Sequence, residues 1–175
     1  MHLLAAQPGG IADGSKAVDL EQSPGDIVVL SAADSELSCL AAAFAELGGE
    51  GFPTLRLANL LHLGHNMSVD LYVENVIAKA RLVVVRLLGG RGYWPYGVEQ
   101  ASAVCRENDI PVAFYPGDDQ PDAELSAFST LPDDVTHRLW QYGVHGGMDN
   151  ARDFLRFSAS LIGFDVEWRE PRPLL

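Results

Sequence analysis

Four short apolar runs alternate along this chain with longer stretches in which apolar positions recur three and four apart. The runs are Ile27 to Leu30, Thr54 to Ala58, Leu82 to Leu88 and Val112 to Tyr115, with His2 to Ala6 as a candidate fifth. The run from Leu82 is apolar throughout except for Arg86, as expected of a strand covered on both faces in a parallel sheet. Between the runs, Leu37, Leu40, Phe44 and Leu47 make one stripe, and Val69, Tyr72, Val73, Val76, Ile77 and Ala80 make another. At 3.6 residues per turn each set falls on one face of a helix. Gly48-Gly49 is a stop for the first helix. Ser68 is the predicted N-cap of the second, with Asp70 in its first turn. A third helix is predicted from about Pro95 to Asn108, with Val98, Ala101 and Cys105 inward.

Strands alternating with helices of this length predict repeated βαβ units, whose right-handed crossovers lay helices on the faces of the sheet. The expected fold is therefore α/β: a flavodoxin-like or Rossmann-like open, mostly parallel sheet with flanking helices over residues 1–130. Residues 131–175 read as a helical extension, with helices expected at Pro132 to Val144 and Met148 to Ile162. Its end, Glu167 to Leu175, is broken by prolines and reads as the start of a connection to a further region.

Composition narrows the functions this fold could serve. The formal net charge of −12 makes a surface that repels phosphate backbones and anionic lipids, so no nucleic-acid or membrane partner is expected. No apolar stretch approaches the roughly 20 residues of a membrane helix. The first residues lack the basic segment of a secretory signal, which makes the cytoplasm the expected compartment. Cys39 and Cys105 lie in apolar helical stretches and are expected to be packed thiols.

Ligands of open α/β sheets bind beyond the carboxyl ends of the strands, so the loops there are the candidate sites. The first, Ser31 to Ser35, has no glycine for a dinucleotide pyrophosphate, and Ser31 or Asp34 is expected to cap the next helix. The loop after Leu88 is unusual: Gly89, Gly90, Arg91, Gly92, Tyr93, Trp94, Pro95, Tyr96 and Gly97. Its glycines permit close backbone approach, its aromatics offer flat surfaces to a planar ligand or a protein partner, and Arg91 can pair with a carboxylate. The same aromatics could instead cover the sheet edge or a neighbouring domain. His62 and His65 are a weak metal pair, three apart but interrupted by Gly64. Asp118 and Asp119 follow Pro116-Gly117, ordinary turn chemistry that could also hold a cation. His137 and His145 have no nucleophile beside them in the sequence. No P-loop, G-x-S-x-G or H-E-x-x-H pattern occurs, so no catalytic residue is assigned.

Several segments together resemble the N-terminus of the large subunit of aerobic cobaltochelatase, the CobN type. They are MHLLAAQPGG, PGDIVVLSAADSEL from Pro24, LRLANLLHL from Leu55, SVDLYVENVIAKARLVVVRLLGGRGYWPYGVEQ from Ser68 and PGDDQPDAEL from Pro116. The stretch from Ser68 to Gln100 is the most specific. Asn66-Met67 departs from the family's proline after the histidine. The resemblance implies a subunit related to the magnesium chelatase large subunit, which binds a tetrapyrrole and the metal while separate AAA+ subunits hydrolyse ATP. It implies cobalt insertion into hydrogenobyrinic acid a,c-diamide in cobalamin biosynthesis. It also implies a full subunit several-fold longer than this chain, with its metal-insertion residues downstream and no cofactor expected on this part. A standalone nucleotide- or flavin-binding module and a purely structural interaction domain remain the alternatives.

Overall fold

A computed structural model describes Leu3 and residues 17–173. Four parallel strands, β1 (Ile27–Ser31), β2 (Leu55–Asn59), β3 (Leu82–Leu87) and β4 (Val112–Pro116), form one sheet in the order β2-β1-β3-β4. The central β1 pairs in register with both neighbours, Ile27 opposite Leu55 and Leu82. All five of its residues are buried, as its unbroken apolar run predicts. Helix α1 (Asp34–Leu47) connects β1 to β2, α2 (Asn66–Asn75) connects β2 to β3, and α3 (Pro95–Glu107) connects β3 to β4. The helices α4 (Ala123–Phe128), α5 (Asp133–His145) and α6 (Gly147–Leu161) follow. The α/β open sheet expected from the sequence is present.

Strand side chains alternate between two cores. Ile27, Val29, Leu57, Val84 and Tyr115 face a layer made by α1, α5 and α6, which adds Leu37, Leu139, Tyr142, Phe154 and Leu155. Val28, Leu30, Val83, Val85 and Phe114 face α2, α3 and α4, which add Val69, Tyr72, Val98, Ala101 and Leu125. Residues beyond 131 thus complete the cover of the α1 face. Two glycines with positive φ, Gly146 at +69° and Gly147 at +83°, turn α5 sharply into α6.

The helix ends differ from expectation in their caps. Ser68 is not the N-cap of α2: the imidazole Nδ1 of His65 accepts from the Met67 N–H at 3.1 Å, and the helix starts at Asn66. Ser68 is buried one turn in, where its hydroxyl accepts from the Val18 N–H at 2.8 Å. Neither Ser31 nor Asp34 caps α1, which begins from Ala33 without a side-chain cap. Ser31 Oγ accepts from the Ala33 N–H instead, and Asp34 accepts from the Asn59 amide at 2.7 Å. Helix α1 stops at Gly48-Gly49 as expected, with Gly49 at φ +131°. The stripe from Val69 to Ala80 is shared between α2 and a separate 3-10 turn at Ile77–Lys79. Of the candidate fifth strand, His2 and residues 4–6 lie outside the described residues. The carbonyl of Leu3 accepts from Leu57 N–H at the outer edge of β2 and from Gln22 Nε2.

Candidate functional site

The glycine–aromatic loop forms a 3-10 turn, Gly90–Tyr93, at the carboxyl end of β3. Gly90 sits at φ +68°, where a side chain would be strained, and a Cβ there would meet Asp122 Oδ2 at 2.8 Å. Trp94 is buried in the α2–α3 core, and its Nε1 donates to the Leu63 carbonyl at 2.8 Å. Tyr96 donates to Asp70 Oδ1 at 2.6 Å, tying α3 to α2. That hydrogen bond, joined by burial and the Asp70 charge, raises the Tyr96 pKa. Arg91 pairs with Glu99 and Glu124 and lies over the Phe128 ring at 5.0 Å. Leu88 and Tyr93 are exposed, Gly92 has open space around it, and a Cβ added at Gly89 would meet the Tyr93 side chain at 3.5 Å. The loop thus divides: Trp94, Tyr96 and Arg91 hold neighbouring elements together, while Leu88, Gly92 and Tyr93 face outward.

The other candidates are dispersed. His65 is occupied as a helix cap, and His62 keeps a buried Nδ1 without a partner. Among the described residues no three His, Cys, Asp or Glu side chains gather to hold a metal ion. Asp118 accepts from the Gln120 N–H in a turn, and Asp119 accepts from the Gln120 side chain. His137 stacks beside Trp140 at 5.0 Å, away from His145 at the end of α5. Among the described residues, no helix is long and apolar enough to cross a membrane.

A cavity of about 410 Å³ opens elsewhere on the carboxyl edge, on the face covered by α1, α5 and α6. Strand order changes direction between β1 and β3, and the cavity lies beyond that point, where open α/β sheets keep their ligands. Arg86 of β3 and Tyr115 of β4 are register partners and both line it. The Arg86 guanidinium pairs with Glu36 of α1, with both side chains largely shielded from solvent, and also donates to the Gly117 carbonyl at 2.7 Å. Burial raises the Tyr115 hydroxyl above its ordinary pKa, opposed by the nearby Arg86 charge. Gly143, Gly146 and Gly147 form the opposite wall. Arg86, the single charge in an otherwise apolar strand, was the sequence signal for this site. Its partners lie 50, 29 and 57 positions away at Glu36, Tyr115 and Gly143 and carry no motif.

The comparisons with known proteins complete the picture. A subunit of aerobic cobaltochelatase, CobN, from Pseudomonas aeruginosa is 46% identical over 175 residues, covering 99% of this chain. Its counterpart from a Sinorhizobium species is 47% identical over 175 residues, covering all of it. The chain belongs to the aerobic cobaltochelatase CobN family. It spans about 14% of the length of these two CobN relatives. The solved catalytic subunit of cobaltochelatase from Mycobacterium tuberculosis superimposes with a TM-score of 0.67 at 26% identity, covering 86% of this chain and 12% of that one. No protein-family model matches. The CobN likeness takes in both the glycine–aromatic loop and the carboxyl-edge cavity, since it runs the full length of the chain.

Proposed function

We propose that this chain is the N-terminal region of the tetrapyrrole-binding subunit of an ATP-dependent cobaltochelatase acting in the cytoplasm. In this reading the whole enzyme inserts Co²⁺ into hydrogenobyrinic acid a,c-diamide on the way to cobalamin. Separate AAA+ subunits hydrolyse ATP, and the residues that insert the metal lie in the remainder of the longer subunit. The observation that carries the reading is similarity along the whole of this chain, at 46% and 47% identity, to a segment of the two CobN subunits. The exposed Leu88, Gly92 and Tyr93 then supply a small apolar surface beside the macrocycle or a partner subunit, held in place by Trp94, Tyr96 and Arg91.

The test is a chimera. In the full-length Pseudomonas aeruginosa subunit, the matching segment is replaced by this chain, and cobalt insertion is followed by absorbance with ATP and the partner subunits present. The chimera is expected to insert cobalt within several-fold of the parent rate, and deletion of the segment is expected to abolish it. A folded chimera that inserts no cobalt overturns the reading. In the active chimera, Leu88→Ala with Tyr93→Ala should weaken tetrapyrrole binding by about tenfold, as the loss of a central aromatic anchor does. Unchanged affinity removes the loop from the substrate surface.

A further inference from the structure

Among the described residues, five large apolar side chains are exposed: Leu61, Met67, Leu88, Tyr93 and Val144. Scattered singly, such residues are ordinary, but these share one edge of the sheet. Leu61 lies in the 3-10 turn Leu60–Leu63 that follows β2, and Met67 in the first turn of α2. Leu88 and Tyr93 lie in the loop after β3. That loop is joined to the one after β2 by the bond from Trp94 to the Leu63 carbonyl. Val144 stands at the end of α5, next to Gly143 in the wall of the carboxyl-edge cavity. All five are therefore at the carboxyl edge, and none lies in a loop that leads into a strand. The charged groups around the loop after β3 already satisfy one another: Arg91 pairs with Glu99 and Glu124, and Asp70 accepts from Tyr96. What this edge offers a partner is apolar surface beside a polar rim.

The course of the chain after α6 leads to the same edge. It leaves α6 at the opposite edge, where the Ile162 carbonyl accepts from Arg81, the residue before β3. It then runs back along the helix, the Arg169 N–H donating to Asp153 Oδ1 at 3.3 Å. At the end of this return the Arg172 N–H donates to Asn150 Oδ1 at 3.0 Å, and the Arg172 carbonyl accepts from Asn150 Nδ2 at 2.7 Å. Asn150 also donates to the carbonyl of Gly146, which lines the carboxyl-edge cavity. We propose that the carboxyl edge of the sheet is the face on which the rest of the longer subunit docks, burying Leu61, Met67 and Val144. The proposal rests on the CobN reading: this chain spans about 14% of its CobN relatives, and polypeptide continuing from Arg172 emerges beside the apolar surface. Leu88 and Tyr93 then border the seam between the two parts, the kind of place where ligand sites form.

Hydroxyl-radical labelling read by mass spectrometry compares the free chain with the full-length Pseudomonas aeruginosa chimera. Leu61, Met67 and Val144 are expected to label in the free chain and to lose labelling about fivefold in the chimera, as residues of a buried interface do. Phe52, partly buried before β2 at the opposite edge, should label equally in both, and an equal loss there overturns the choice of edge. Leu61→Asp with Met67→Asp changes two exposed positions, and a carboxylate in the first turn of α2 favours that end of the helix. The free variant should therefore melt within about 3 °C of the parent. In the chimera the same pair should restore labelling at Val144, which belongs to a different element; full protection of Val144 there overturns the proposal. Unchanged labelling in a chimera that inserts cobalt overturns the docking and leaves the chelatase reading standing. A folded chimera that inserts no cobalt removes the reading and the docking with it. Protection that appears only after the tetrapyrrole or the ATPase subunits are added, or in the free chain as its concentration rises, assigns the edge to those occupants and overturns the proposal.

Discussion

At the residue scale, Gly97 and Trp94 fix the loop after β3. A Cβ at Gly97 would stand 1.9 Å from Trp94 Cε2, and the indole is held in place by its bond to the Leu63 carbonyl. Gly97→Ala is therefore expected to destabilise the chain by about 2–3 kcal/mol through overpacking, read from the urea midpoint. Trp94→Phe keeps most of the apolar volume but strands a buried carbonyl, and should lose about 1–3 kcal/mol in the same measurement. The two thiols differ in a way chemistry can read. Cys105 is fully buried and its pKa is pushed up to about 12 by burial. Cys39 is partly exposed, its pKa raised by burial against the opposing Arg152 charge, with its thiol 3.3 Å from the Met148 sulfur. A disulfide reagent near neutral pH should label one thiol per native chain, slowly and at Cys39, and reach Cys105 only when the chain unfolds.

At the element scale, α1 and α6 are joined across their exposed sides by Arg152, which bonds Glu46 at 2.6 and 3.2 Å and Asp149 at 2.9 Å. The hydrogen bond from Arg152 holds the Glu46 carboxyl below its ordinary pKa of 4.5. A carboxyl lowered in the folded state adds stability above its unfolded pKa and loses it as the pH falls through the folded value. The difference in melting temperature between the parent and Arg152→Met, clear at pH 6, should therefore close as the pH falls below 4.5. A difference that stays constant with pH would assign the effect to packing of the arginine stem. The helix starts show where sequence reading stops at this scale. Ser68 has the right chemistry for a cap, but it is buried and bonded to Val18, and a histidine two residues before the first methionine of the helix does the capping.

At the scale of the whole molecule, the sheet needs the helices that follow β4. Leu139, Tyr142, Phe154, Leu155 and Phe157 cover the strand residues that α1 leaves bare. Burying each contributes roughly 1.5–3 kcal/mol, so together they match the whole stability of a typical domain, about 5–15 kcal/mol. A chain ended after Leu131 is expected to lose cooperative thermal unfolding and bind a hydrophobic dye. A sharp melting transition in that truncation would show the sheet self-sufficient.

The strands and the three crossover helices could be read directly from the chain, because burial on both faces demands unbroken apolar runs and burial on one face demands a period of 3.6. The family was legible too, carried by the segment from Ser68 to Gln100. The short α4, with six residues and one buried leucine, leaves too little periodicity to detect. The fate of the loop aromatics was also beyond the sequence: glycines and aromatics in a row suit a ligand surface and a buried brace equally, and only the approach of Leu63 makes Trp94 a brace. The carboxyl-edge cavity is wholly a product of packing, since Glu36, Arg86, Tyr115 and Gly143 meet through strand register and the folding back of α5 and α6. Local sequence encodes which face of an element is apolar; which distant polar groups are brought together depends on how those faces close on one another.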